Sequence, residues 1–91
     1  MDTRELLALL ESPLEGITSA ERVRGAIDAG LRWPTPYWPE LAVKWLEEGV
    51  AFDADIAKLL DNVAGTSQFP QRLRHRAFAL ARKFEKSGSG G

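Results

Sequence analysis

The residues with the most chemical potential in this 91-residue chain are few and scattered. Asp53 and Asp55 stand one residue apart, Glu47 and Glu48 are adjacent, and the single histidine, His75, lies among Arg72, Arg76 and Arg82. Spaced carboxylates suggest a metal site, and an imidazole beside cations suggests contact with an anion. A calcium loop, however, follows its spaced acids with a glycine and a distal glutamate, a pattern missing here, and zero Cys with one His leaves no nitrogen or sulfur ligand set. Asp53 instead precedes an apolar-periodic run, where a carboxylate caps a helix, and Asp55 falls in its first turn, where the helix dipole favours an acid. The sequence predicts no metal and no cofactor.

Nucleophilic catalysis has equally little to work with. Thr18, Ser19, Thr66 and Ser67 sit where helices begin or loops run, so their hydroxyls serve backbone N–H groups. Glu47 and Glu48 fall on the wet face of an amphipathic helix, and His75 on the polar side of another, neither of them in a pocket. Gly16, Gly25, Gly30, Gly49 and Gly65 are isolated, unlike the clustered glycines of a phosphate-binding loop. The expectation is a chain that is not an enzyme.

Two constellations suit binding better. Residues 1 to 70 hold twelve Asp and Glu against six Lys and Arg, a balance of −6, whereas residues 71 to 86 hold six Lys and Arg against Glu85 alone, a balance of +5. On a helical wheel Arg72, Arg76, Lys83 and Lys86 form a stripe with His75 and Arg82 beside it, a surface that attracts polyanions. The second constellation is Trp33-Pro34-Thr35-Pro36-Tyr37-Trp38-Pro39-Glu40, with three of the chain's five prolines. Trp38 shares a helical face with Ala42, Trp45 and Leu46 and reads as core. Trp33 and Tyr37 flank prolines in a loop, and large amphipathic aromatics there anchor protein interfaces.

Helices must position these groups. The length suits one domain, and a hydrophobic share of 44% with 27% charged residues is that of a globular chain. Leu6, Leu7, Leu9 and Leu10 make the stripe of a short first helix capped by Asp2 or Thr3 and stopped by Ser12-Pro13. Thr18-Ser19-Ala20-Glu21 is a capping box for a second helix over about 19 to 29, with Val23 and Ile27 inside and Gly30 as its stop. Trp33 to Pro36 is expected to run extended, and Pro36 or Pro39 to open a third helix that Gly49 ends. Asp53 caps a fourth, with Ile56, Leu59, Leu60 and Val63 as its stripe and Gly65 as its close. A fifth follows Pro70, burying Leu73, Ala77, Leu80 and Phe84.

The fold class predicted is all-α, a compact bundle of about five short helices, with helices three to five as successive antiparallel hairpins. A single helical domain spans 1–86. Ser87-Gly88-Ser89-Gly90-Gly91 has the composition of a flexible linker appended for expression. Trp38-Pro39 and Phe69-Pro70, 31 residues apart, resemble the spacing of HEAT-like or armadillo-like hairpins over about residues 37 to 84, which implies a protein-binding scaffold rather than a reaction.

No apolar run approaches the ~20 residues of a membrane span, and the charged opening Met1 to Glu5 does not suit a secretory signal. With no cysteine besides, the expected setting is cytoplasmic. The function expected is a protein-interaction module, such as an adaptor, regulator or antitoxin-like inhibitor, that uses Trp33, Tyr37, Arg72, His75, Arg76, Arg82 and Lys83 against an acidic partner. The alternative is a nucleic-acid-binding regulator on the same basic stripe, opposed by the acidic field of the remaining chain. Oligomeric state is left open. If the aromatic loop is the anchor, Trp33→Ala removes binding in a pull-down and leaves the circular dichroism spectrum unchanged; collapse of the fold would return Trp33 to the core.

Overall fold

The computed structural model describes the backbone of residues 3–89 and the side chains of residues 3–86. Helix α1 (Thr3–Leu9) buries Leu7, and Leu10 just beyond it is also buried. Asp2, one of its two expected caps, lies outside the described residues. A 3-10 turn at Leu14–Gly16 follows Pro13.

Helix α2 (Ala20–Leu31) begins one residue later than a Thr18-to-Glu21 box would have it. Its cap is Ser19, whose hydroxyl accepts a hydrogen bond from the Arg22 N–H at 3.3 Å. Thr18 and Ser19 are chemically equivalent caps, and burial of Val23, Ala26, Ile27 and Leu31 sets the phase that selects Ser19. Gly30 does not stop the helix. It is a buried residue within it, and a Cβ there would lie 2.7 Å from Leu10 Cδ1, 3.2 Å from the Trp38 carbonyl oxygen and 3.3 Å from the Ala42 Cβ. The position needs glycine for close approach of two helices, not for a left-handed backbone.

Trp33 to Pro36 is expected to be extended, but Pro34 to Pro36 form a run of bends, and the Trp33 N–H donates to the Gly30 carbonyl at 3.2 Å. Helix α3 (Tyr37–Glu47) is preceded at its cap position by Pro36, while Pro39 is buried in its first turn. Both prolines are tolerated because first-turn N–H groups lack intrahelical acceptors. Pro70, by contrast, directly precedes helix α5 (Gln71–Ser89), so the two aromatic-proline lead-ins are not equivalent positions of a repeat. At the far end of α3 Gly49 takes φ 113°, and its N–H and that of Val50 return to the Leu46 and Trp45 carbonyls. This is a left-handed helix stop of the kind that glycine makes without strain.

Asp53 then caps helix α4 (Ala54–Gly65), accepting from the Ile56 N–H at 3.1 Å. Thr66 closes α4 by donating its hydroxyl to the Asn62 carbonyl at 2.7 Å. Helix α5 takes in Ser87, Gly88 and Ser89, while Gly90 and Gly91 lie outside the described residues.

The result is an all-α bundle of five helices, with no strand among the described residues. The most extensive contacts join α4 to α5, followed by α2 to α3 and α1 to α2; α2 also meets α4, and α3 meets α5. One core runs through them, including Leu10, Ile27, Val43, Trp45, Leu60 and Leu73. Among the described residues no polar or charged side chain is buried. Gly30→Ala tests the tightest point. The gain in helix propensity of about 1 kcal/mol is opposed by overpacking against buried Leu10 and the Trp38 backbone. Chemical denaturation should show a net loss of about 1–2 kcal/mol, and a more stable variant would mean that the α2–α3 crossing yields freely.

Candidate partner-binding surfaces

The aromatic-proline segment sends its two candidate anchors to different sides. Trp33 is 37% exposed and Tyr37 52% exposed. Tyr37, the first residue of α3, donates its hydroxyl to the Glu11 carboxylate and sets its ring edge-on to Trp38, centroids 4.9 Å apart at 82°. Trp38 is half-buried, so the core position expected of it is taken in full only by Trp45. Accepting that hydrogen bond, the Glu11 carboxylate raises the Tyr37 phenol above its ordinary value, with partial burial and the charge of Glu11 acting in the same direction. Tyr37 lines a hollow of about 480 Å³ with Glu11, Leu14, Leu41 and Trp45. Trp33 and Pro34 line two others, one toward Leu59 and Phe69 and one toward Leu6 and Ala29. The Tyr37 hollow shares no residue with either.

The stripe on α5 is divided by the fold. Arg76 forks onto Glu47 of α3, with Nη2 2.6 Å from Oε1 and Nε 3.1 Å from Oε2. That carboxylate, against a smaller opposing effect of burial, holds the Arg76 guanidinium above its usual range and so firmly charged. Arg74 is also committed, donating to the Ala64 carbonyl at 3.3 Å at the C-terminal end of α4, where a cation complements the dipole. Arg82 lies over the ring of Phe78, 5.7 Å from its centroid, and Phe78 is 52% exposed. His75 is exposed, with its Nε2 3.5 Å from the Gln71 amide nitrogen. Arg72 and Lys83 have no ionic partner among the described residues. Of the predicted set, then, the structure joins Arg76 to an acid of its own fold and leaves Arg72 and Lys83 unpaired. No α5 cation lines the Trp33 or Tyr37 hollows.

A surface that the sequence did not single out lies across the link between α3 and α4. Gly49 and Asp53 end one helix and start the next, holding Val50, Ala51 and Phe52 between them outside regular structure. Phe52 stacks on Phe84 of α5, centroids 5.3 Å apart and 28° between planes. Phe84, expected in the core, is only half-buried, because the ring it meets belongs to a surface link rather than to a helix. These two rings, with Leu46, Val50, Leu80 and Lys83, line a hollow of about 310 Å³. A second, of about 360 Å³, is lined by Leu14, Ile17, Ala20, Val23 and Arg24 and shares Val50 and Ala51 with the first. The two adjoin at Val50 and Ala51, and together they make a paired apolar trough along the link. Among the described residues, its only ionisable lining groups are Lys83 in one half and Arg24 in the other. The signal in the sequence was an apolar triplet where a polar turn is usual.

Arg24 is held by Asp53 at 2.8 Å, with Asp55 at 3.8 Å. Asp53 thus serves as both helix cap and ion-pair acceptor. The Arg24 hydrogen bond, then that of the Ile56 N–H, pulls its carboxyl below the ordinary aspartate value. No His, Asp and Glu side chains among the described residues group as three or more in a way that could hold a metal ion.

Comparison with protein-family models, curated proteins and solved structures finds no match for this chain. Tyr37 is the single tyrosine, so its ionisation is directly visible in the ultraviolet. A raised phenol means that the protonated form persists to higher pH, and the absorbance midpoint should lie above about 10. Glu11→Gln should lower that midpoint; an unchanged value would mean that the Glu11 carboxylate does not bind the hydroxyl in solution.

Proposed function

We propose that this chain is a non-catalytic protein-interaction module and that the trough across the α3–α4 link is where its partner docks. The supporting observation is the adjacency of its two halves: half-buried Phe52, Phe84, Val50, Ile17 and Leu14 line two hollows that share Val50 and Ala51 instead of being scattered singly. Contiguous apolar surface of this kind gains free energy on being covered, roughly 25 cal/mol for each Å² removed from water. The five half-buried apolar side chains are what a partner would cover.

The charge arrangement favours protein over nucleic acid. Arg76 and Arg74 are already used within the fold, so Arg72, Arg82 and Lys83 remain as α5 cations not bonded to an oxygen among the described residues. Three phosphate contacts give a salt slope of about −2.7, and hence only about a 40-fold loss of affinity between 50 and 200 mM salt, against the 10³-fold or more expected of six. An acidic protein surface meets the same three cations without needing a continuous phosphate track. A cytoplasmic setting belongs to the same proposal and rests on the absence of cysteine. No described helix is long and apolar enough to cross a membrane.

A photo-crosslinking residue at Ala51, which is exposed in the trough, should give a discrete protein adduct in the source cell, and the same residue at exposed Ala8 on α1 should not. Phe84→Asp should abolish the adduct while the circular dichroism spectrum at the assay temperature remains that of the folded chain. Identical adducts from both positions, or an adduct that nuclease removes, would overturn the proposal.

A further inference from the structure

We infer that the trough receives an amphipathic α-helix whose carboxylates meet Lys83. This inference rests on the trough being the docking site and adds the secondary structure and charge of what fills it.

The helical form follows from backbone bookkeeping. The described residues contain no strand, so the trough has no sheet edge to pair with an incoming chain. Its walls are side chains of α2, α3 and α5 together with Leu14, Ile17 and Thr18 of the segment before α2 and the short link at Val50 to Phe52. An extended segment laid on such a surface would lose water from its N–H and C=O groups and find few protein partners in exchange. Each unpaired group then costs roughly 1–3 kcal/mol. A helix brings its hydrogen bonds with it and needs to offer only an apolar face, the established manner of helix-in-groove recognition.

The charge follows from the two cations in the lining. Arg24 is already met by Asp53 and Asp55, two carboxylates against one guanidinium, so the surface around it is locally acidic and offers an incoming carboxylate no free cation. Lys83, at the end where Phe52 stacks on Phe84, has no ionic partner among the described residues. A carboxylate on the incoming helix that reaches Lys83 therefore forms a new pair without breaking an old one, whereas a cation there meets only repulsion. Because the pair would form beside two aromatic rings rather than in open water, it is screened less than an ordinary surface pair. The partner fitted by these features is a helix with an apolar stripe and an acidic flank.

The test uses fluorescein-labelled peptides of about 14 residues with leucines at helical spacing. Their flanking positions carry Glu, Gln or Lys, and a fourth peptide has the Glu flanks and a central proline. Fluorescence anisotropy should show the Glu peptide binding about tenfold more tightly than the Lys peptide. Lys83→Glu should reverse the order, and the proline peptide should bind far more weakly. Equal affinities for the Glu, Gln and Lys peptides, all lost with Phe84→Asp and with Ala51→Asp, would overturn the acidic partner and leave docking at the trough standing. Full binding by the proline peptide would overturn the helix. If no peptide binds, or binding survives both trough substitutions, the docking site falls and this inference with it. Sedimentation at the same concentrations covers the remaining occupant: a dimer that Phe84→Asp dissociates would assign the trough to a second copy and overturn the inference.

Discussion

The close crossing of α2 and α3 at Gly30 is the constraint on which the remaining structure depends. With hydrogen in place of a side chain, α2 lets the Trp38 carbonyl and Ala42 of α3 approach on one side while Leu10 closes over the same point. Helix α2 also meets α1 and α4, so the crossing sets where three other helices stand. It determines how the chain between α2 and α3 must turn. Five residues, Arg32 to Pro36, have to reverse the chain within a short span, and two prolines among them limit the conformations available. As a consequence Trp33 faces the α2–α4 side and Tyr37, already in α3, faces Glu11.

Electrostatics act on this frame more as an address than as a source of stability. The acidic front of the chain and the basic α5 meet directly at Glu47 and Arg76, and Arg24 meets Asp53 within the acidic part. Ion pairs at such exposed positions contribute little to folding because water already solvates both partners well. Their larger effect is subtraction. Every cation that the fold engages is lost to an outside ligand, so the surface available on α5 is narrower than its composition suggests. Lys83 is exposed but lines an apolar depression.

The apolar depression itself is a product of two ordinary helix-end devices. Gly49 turns the chain out of α3 through a left-handed residue, and Asp53 fixes the start of α4 four positions later. Between them Val50, Ala51 and Phe52 have no helical face along which to distribute their side chains, and Phe52 finds its aromatic partner in Phe84 at the surface. Core formation would favour tucking these groups in. The helix ends on either side hold the link at the edge of the core, so its side chains are covered on one side only.

The periodicity of apolar residues determined by itself that the chain is helical, how many helices it forms, and that Ile56, Leu59, Leu60 and Val63 of α4 and Leu73, Ala77 and Leu80 of α5 face inward, because a 3.6-residue repeat depends on the order of side chains and nothing else. The helix-terminating role of Gly49 and the capping role of Asp53 were equally legible, since both are local hydrogen-bonding rules. Gly30 was not, because the same residue type serves a left-handed stop or a close contact, and only the position of α3 distinguishes them. Nor could the wheel of α5 show that Arg76 is taken by Glu47, 29 residues away, or that Phe84 pairs with a loop. Tertiary structure decided which charges remain unpaired and which apolar groups remain uncovered, because both depend on what another segment brings alongside, and no local pattern in a sequence contains that information.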